Sequence, residues 1–108
     1  MKSLDYLLLA SEKLNEAEES EGIRVKELSA YTVFYSLEAV AAELGVDPGD
    51  ILEGARVLPH RMWGEILRIL EIKRYIRDLE PEDALDAARE SLEIATAIIL
   101  FIKSLNTP

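Results

Sequence analysis

The side chains best suited to chemistry are cationic and crowded together. Arg56, His60, Arg61, Lys73, Arg74 and Arg77 fall between residues 56 and 77, a 22-residue stretch holding half of the chain's 12 Lys and Arg and its single histidine. Guanidinium groups present a planar fork that matches phosphate oxygens, so arginines fixed on a helix suit a phosphate, a nucleotide or the end of a nucleic-acid strand. An imidazole exchanges protons near neutral pH, which makes His60 the one candidate general acid or base.

Other chemistries are excluded by what is missing. The chain has no cysteine, which removes thiolate nucleophiles, disulfides and cysteine-ligated zinc or iron–sulfur sites, and one histidine cannot build a multi-histidine metal centre. No metal site and no cofactor are expected. The glycines are scattered singly, so there is no phosphate loop, and neither a His-Glu-x-x-His pair nor an EF-hand spacing occurs. The acidic pairs Glu18-Glu19 and Glu82-Asp83 read as a solvated face and as helix N-terminal charge. Tyr31, Phe34 and Tyr35 read as core, because no Lys or Arg is interleaved with them to make a base-stacking platform.

Charge sharpens the picture. The chain of 108 residues carries 21 acidic and 12 basic side chains, a net charge of −9 and a pI near 4.6. Extensive DNA coating and membrane-surface binding both draw on clustered Lys and Arg, so the total argues against them. The total hides a change of sign, however. Residues 1–55 hold 4 basic and 12 acidic groups, residues 56–77 hold 6 and 2, and residues 78–108 hold 2 and 7. A small anionic ligand or an RNA end remains compatible with the middle segment. With 49% hydrophobic residues the chain is expected to form one domain, 1–108, with its own core. No signal-peptide pattern and no membrane-length apolar run are evident, which predicts a soluble, cytoplasmic protein. The absence of Gln and Cys with abundant Glu and Ile resembles thermophile usage.

Apolar residues recur at helical spacing throughout, and period-2 alternation is absent, so the predicted class is all-α: a single antiparallel bundle of four to five helices. Ser3 is the expected N-cap of a first helix to about Ser20, with Leu7, Ala10, Leu14 and Ala17 facing inward. A second helix, about Val25 to Leu44, is apolar almost all round and should be central, with Gly45 beyond its end. Asp47 and Pro48 open a short third helix that Pro59 stops. A fourth runs from about His60 to Leu79, and Pro81 starts a fifth that reaches about Leu105, with Leu85, Ala88, Leu92, Ala95, Ile99 and Ile102 as its stripe. The apolar run from Ile94 to Ile102 predicts burial on several sides or a subunit interface.

The fourth helix breaks its own pattern. Trp63, Leu67 and Leu70 lead along one stripe into Arg74 and Arg77, with Lys73 beside them, while Ile69, Ile72, Ile76 and Leu79 form a second apolar surface. Three explanations follow: the helix bends or leaves the bundle after Leu70 so that its buried side changes, the arginines pair with carboxylates such as Glu38 or Asp78, or they form a cationic site.

The second helix, from Ala30-Tyr31-Thr32-Val33-Phe34-Tyr35 through Gly45, resembles the signature helix of the HEPN superfamily. The order of later elements is similar: Pro59-His60-Arg61 at a helix start, Lys73-Arg74-Tyr75-Ile76-Arg77 at its end, then a Pro/Glu-rich start to a long final helix. The resemblance implies an antiparallel bundle that forms a homodimer, paired with a minimal nucleotidyltransferase in a two-component, toxin–antitoxin arrangement. Taken with the basic 56–77 segment, it points to a nucleotide or anion site at Lys73, Arg74, Arg77, Arg61 and His60. Ribonuclease members of the family carry Arg, four to six residues, then His. In this chain no His follows Arg74 or Arg77, and only three residues, Pro59 among them, separate Arg56 from His60. A non-catalytic binding subunit is therefore expected. The alternatives are a metal-independent ribonuclease using His60 with Arg56 or Arg61, and a purely structural subunit whose acidic surface meets a basic partner.

Overall fold

Among the described residues Gly22 and Gly45 are the two with positive φ, at 63° and 73°, and they bracket the central helix. In the computed structural model, which describes residues 1–106, the order is α1 (Ser3–Glu18), α2 (Ile23–Leu44), α3 (Ile51–Gly54), α4 (His60–Tyr75) and α5 (Pro81–Leu105). No strand occurs among the described residues. Gly45 closes α2 in the left-handed conformation a side chain would disfavour, and the Val46 N–H returns to the Ala41 carbonyl at 3.0 Å. Pro81 occupies the first turn of α5, where its missing N–H costs no helical bond.

The fold is an all-α bundle. Helices α2 and α5 form a central pair that run in the same direction, with α1 and α4 antiparallel to them on opposite flanks. Many of the buried side chains of this pair are small: α2 buries Ser29, Thr32, Ser36 and Ala39, and α5 buries Ala84, Ala87, Ala88, Ser91 and Ala95. The hydroxyls of Thr32, Ser36 and Ser91 donate back to carbonyls four residues earlier on their own helices, at 2.8–3.0 Å, so these positions are polar in composition but satisfied. At the far end, Glu43 on α2 accepts from the Ser3 hydroxyl at 2.6 Å and lies 3.2 Å from the Lys103 ammonium, tying three helix ends together.

Several boundaries differ from the sequence reading. Ser3 lies inside α1; Lys2 is the N-cap, and its backbone N–H donates to the Asp5 carboxylate at 2.9 Å. The region expected as one short helix is a 3-10 turn (Pro48–Asp50), the four-residue α3, and a second 3-10 turn (Ala55–Val57). The α-helical part of α4 stops at Tyr75, and a 3-10 turn (Ile76–Asp78) carries the chain toward α5. On α5, Leu85, Leu92 and Ile102 lie at the edges of the buried face, which belongs to the alanines with Ile98 and Ile99. No described helix is long and apolar enough to cross a membrane.

The largest correction concerns α4. Its buried face is Ile66, Ile69 and Ile72, continued by Ile76 in the 3-10 turn; Trp63 and Leu70 are half-buried and Leu67 is exposed. The helix therefore stays in the bundle past Leu70, and the second apolar surface is the real core. Burying the other stripe would have driven Arg74 and Arg77 into an apolar interior without partners, a cost that decides the face.

Candidate functional site

The docking of the Ile76–Asp78 turn against α2 brings the basic end of α4 to the aromatic side of α2. Ile76 is 2% exposed and acts as the anchor. Lys73 and Arg77, three residues before and one after it, are held at the rim of a groove between the two elements. The groove has two lobes that share Tyr31 and Arg77. One, of about 510 Å³, is lined by Ile23, Lys26, Glu27, Tyr31 and Arg77. The other, of about 410 Å³, adds Ala30, Phe34, Lys73 and Ile76 to the shared pair. Both volumes lie in the range of about 300–1,000 Å³ that small-ligand sites occupy.

The aromatic rings are available. Tyr31 is 52% and Phe34 44% exposed, so the assignment of both to the core is corrected. They are nonetheless held in place: Tyr35 stacks on Tyr31 at 6.4 Å between centroids and meets Phe34 edge-on at 5.4 Å, and Tyr6 of α1 extends the stack at 6.5 Å. The cations are available too. Among the described residues none of Lys26, Lys73, Arg74 and Arg77 makes an ion pair, so the pairing of the arginines with Glu38 or Asp78, one of the three explanations for the broken stripe, does not occur. Glu27, the one carboxylate lining the groove, is 4.0 Å from Arg24.

The remaining predicted residues lie elsewhere. Arg74 is exposed and outside the groove, on the side of α4 turned away from Ile76. His60 and Arg56 share a smaller pocket of about 300 Å³ with Ala55, Leu58 and Trp63, where the imidazole stacks over the indole at 6.2 Å and 16°. Arg61 leans toward Glu65, 3.6 Å away, and is 90% exposed. Thirteen helical steps separate His60 from Lys73, about 20 Å along the axis, so the two basic ends of α4 cannot grip one small ligand together. The single anion site expected from sequence is thus two places, and only Lys73 and Arg77 of that set meet in the groove.

Sequence reasoning missed Lys26, Tyr31 and Phe34 as lining residues, and it missed Arg68. The Arg68 guanidinium donates to both Glu90 oxygens, from Nε at 2.7 Å and Nη2 at 3.1 Å, and from Nη1 to the Tyr75 hydroxyl at 2.9 Å. Its hydrogen bonds to Glu90 raise the Arg68 pKa and hold the Glu90 carboxyl below its ordinary range. This bidentate clamp joins α4 to α5 and leaves Arg68 occupied. Among the described residues no cluster of three or more His, Asp or Glu is placed to hold a metal ion. No protein-family model, curated protein or solved structure matches the chain.

Proposed function

We propose that the chain is a HEPN-like, non-catalytic binding bundle that takes a nucleotide or an RNA end in the groove between α2 and the end of α4. The observation that carries this reading is the convergence of three unpaired cations, Lys26, Lys73 and Arg77, on two exposed rings, Tyr31 and Phe34. Cations meet phosphate oxygens while aromatic faces stack on a base, a combination that suits nucleotides better than simple anions or apolar ligands. The proposal includes a homodimer and a nucleotidyltransferase partner. Four leucines more than half exposed, Leu4 and Leu8 on α1 and Leu100 and Leu105 on α5, support a second copy as one partner.

Calorimetric titration of the full chain with uridine and adenosine monophosphates tests the reading. Binding is expected, weakened about tenfold by Arg77→Ala through loss of a charge-assisted contact, and changed much less by Lys13→Ala, which removes an equal charge from α1. No binding, or an equal effect of the two substitutions, defeats it. The ribonuclease alternative has one favouring observation, the shared pocket of Arg56 and His60. Single-stranded RNA incubated with the protein and a chelator is expected to stay intact; cleavage that disappears in His60→Ala would establish the alternative.

A further inference from the structure

The groove repeats its chemistry. Each lobe has one ammonium of its own, Lys26 in the first and Lys73 in the second, and each has its own apolar wall, Ile23 in the first and Phe34 in the second. Between them stand the two shared groups, the Tyr31 ring and the Arg77 guanidinium. A mononucleotide has one base and one phosphate group and can use only one such set. Two successive nucleotides of a single strand have two bases flanking one phosphodiester, which matches two apolar-walled lobes flanking one guanidinium.

We infer that the groove is a dinucleotide site, with the linking phosphodiester at Arg77, one base against Tyr31 in the Ile23 lobe and the next against Phe34. This rests on the nucleotide-binding reading and adds its length. The lone carboxylate refines the orientation. Glu27 is an acceptor-only group when ionised, so the Ile23 lobe disfavours a terminal phosphate and favours a base edge carrying an N–H donor. The phosphate at the strand's end therefore lies toward Lys73. Beyond the two lobes, the chain's net charge of −9 opposes a longer strand, so contacts are expected to end with the second nucleotide.

Titrating the full chain at fixed low salt with UMP, pUpU, pUpUpU and an eight-residue oligouridylate separates these statements. Affinity is expected to rise about tenfold from UMP to pUpU, as a second base stacks, and, counted per dinucleotide register, to change less than about threefold from pUpU to the octamer, whose roughly seven overlapping registers alone raise the apparent affinity about sevenfold. Phe34→Ala and, independently, the exposed Lys73→Ala are each expected to weaken pUpU by about tenfold, whereas Lys13→Ala, which removes an equal charge outside the groove, is expected to change both UMP and pUpU less than about threefold. A circular-dichroism melt verifies that each variant is folded. Equal affinity for UMP and pUpU overturns the dinucleotide site and leaves the mononucleotide reading standing. Affinity per register that keeps climbing with length overturns it in favour of an extended surface. Binding of no probe removes both readings.

Discussion

Arg68 and Arg77 are nine residues apart in one cationic stretch and have opposite fates. Arg68 reaches α5, where Glu90 takes both arms of its fork, and its charge is spent on joining two helices. Arg77 has no carboxylate partner and keeps its donors for a ligand. Solvent screens the Arg68–Glu90 pair, since both side chains are about 40% exposed (40% and 42%). Arg68→Ala or Glu90→Gln is therefore expected to cost about 1 kcal/mol and not more. The contribution depends on pH in a fixed direction. Because the Glu90 carboxyl is held below its ordinary value of 4.5, the folded chain binds that proton less readily than the unfolded chain. The stabilisation is complete above that value and is lost as pH falls through the lower folded one. Urea unfolding of the parent and of Glu90→Gln at a series of pH values should give a difference that is constant near neutrality and shrinks in acid.

At the scale of the helix, α4 shows what local pattern can and cannot decide. Its start at His60 and the helix that follows at Pro81 were legible, because proline and helical spacing act through nearest neighbours. The buried face was not. Two apolar stripes compete on this helix, Trp63-Leu67-Leu70 and Ile66-Ile69-Ile72-Ile76, and only the position of α2 and α5 selects between them. The arginines at 74 and 77 held the clue, since a stripe that ends in unpaired cations cannot enter a core. Ile69→Ala should destabilise the bundle by about 2–5 kcal/mol, whereas Leu67→Ala, at a position 37% exposed, should cost less than about 1 kcal/mol. Denaturant midpoints of the two variants distinguish the faces, and equal costs would contradict this assignment. The same limit explains the half-read site. The charge count located Lys73 and Arg77, but their aromatic neighbours lie 39 to 46 residues upstream on α2, where the pattern Tyr31-x-x-Phe34 looks like core. Lys26 was invisible for the same reason: no spacing rule links one turn of α2 to the end of α4. The helix-to-helix clamp of Arg68 and Glu90, separated by 22 positions, is of this kind as well.

Across the whole molecule, charge sets two processes against each other, and salt can separate them. Every copy carries −9, so the proposed association through the leucines of α1 and α5 would bring two like-charged bodies together. Their repulsion acts over a Debye length of about 10 Å at 0.1 M salt and about 3 Å at 1 M, so added salt relieves it while leaving apolar burial in place. The groove behaves in the opposite way. Its three cations attract a phosphate locally within an acidic molecule, and that attraction is screened; for single strands the affinity falls by about fivefold per neutralised phosphate over a tenfold increase in salt. Between about 0.05 and 0.5 M sodium chloride, dimerisation followed by sedimentation velocity is therefore expected to strengthen while pUpU affinity followed by calorimetry weakens. The two opposite slopes identify two different surfaces. Should dimerisation weaken with salt alongside the nucleotide, the contact between copies must be built from ion pairs, and the exposed leucines would have no part in it; should neither respond, Lys26, Lys73 and Arg77 would not be meeting a phosphate.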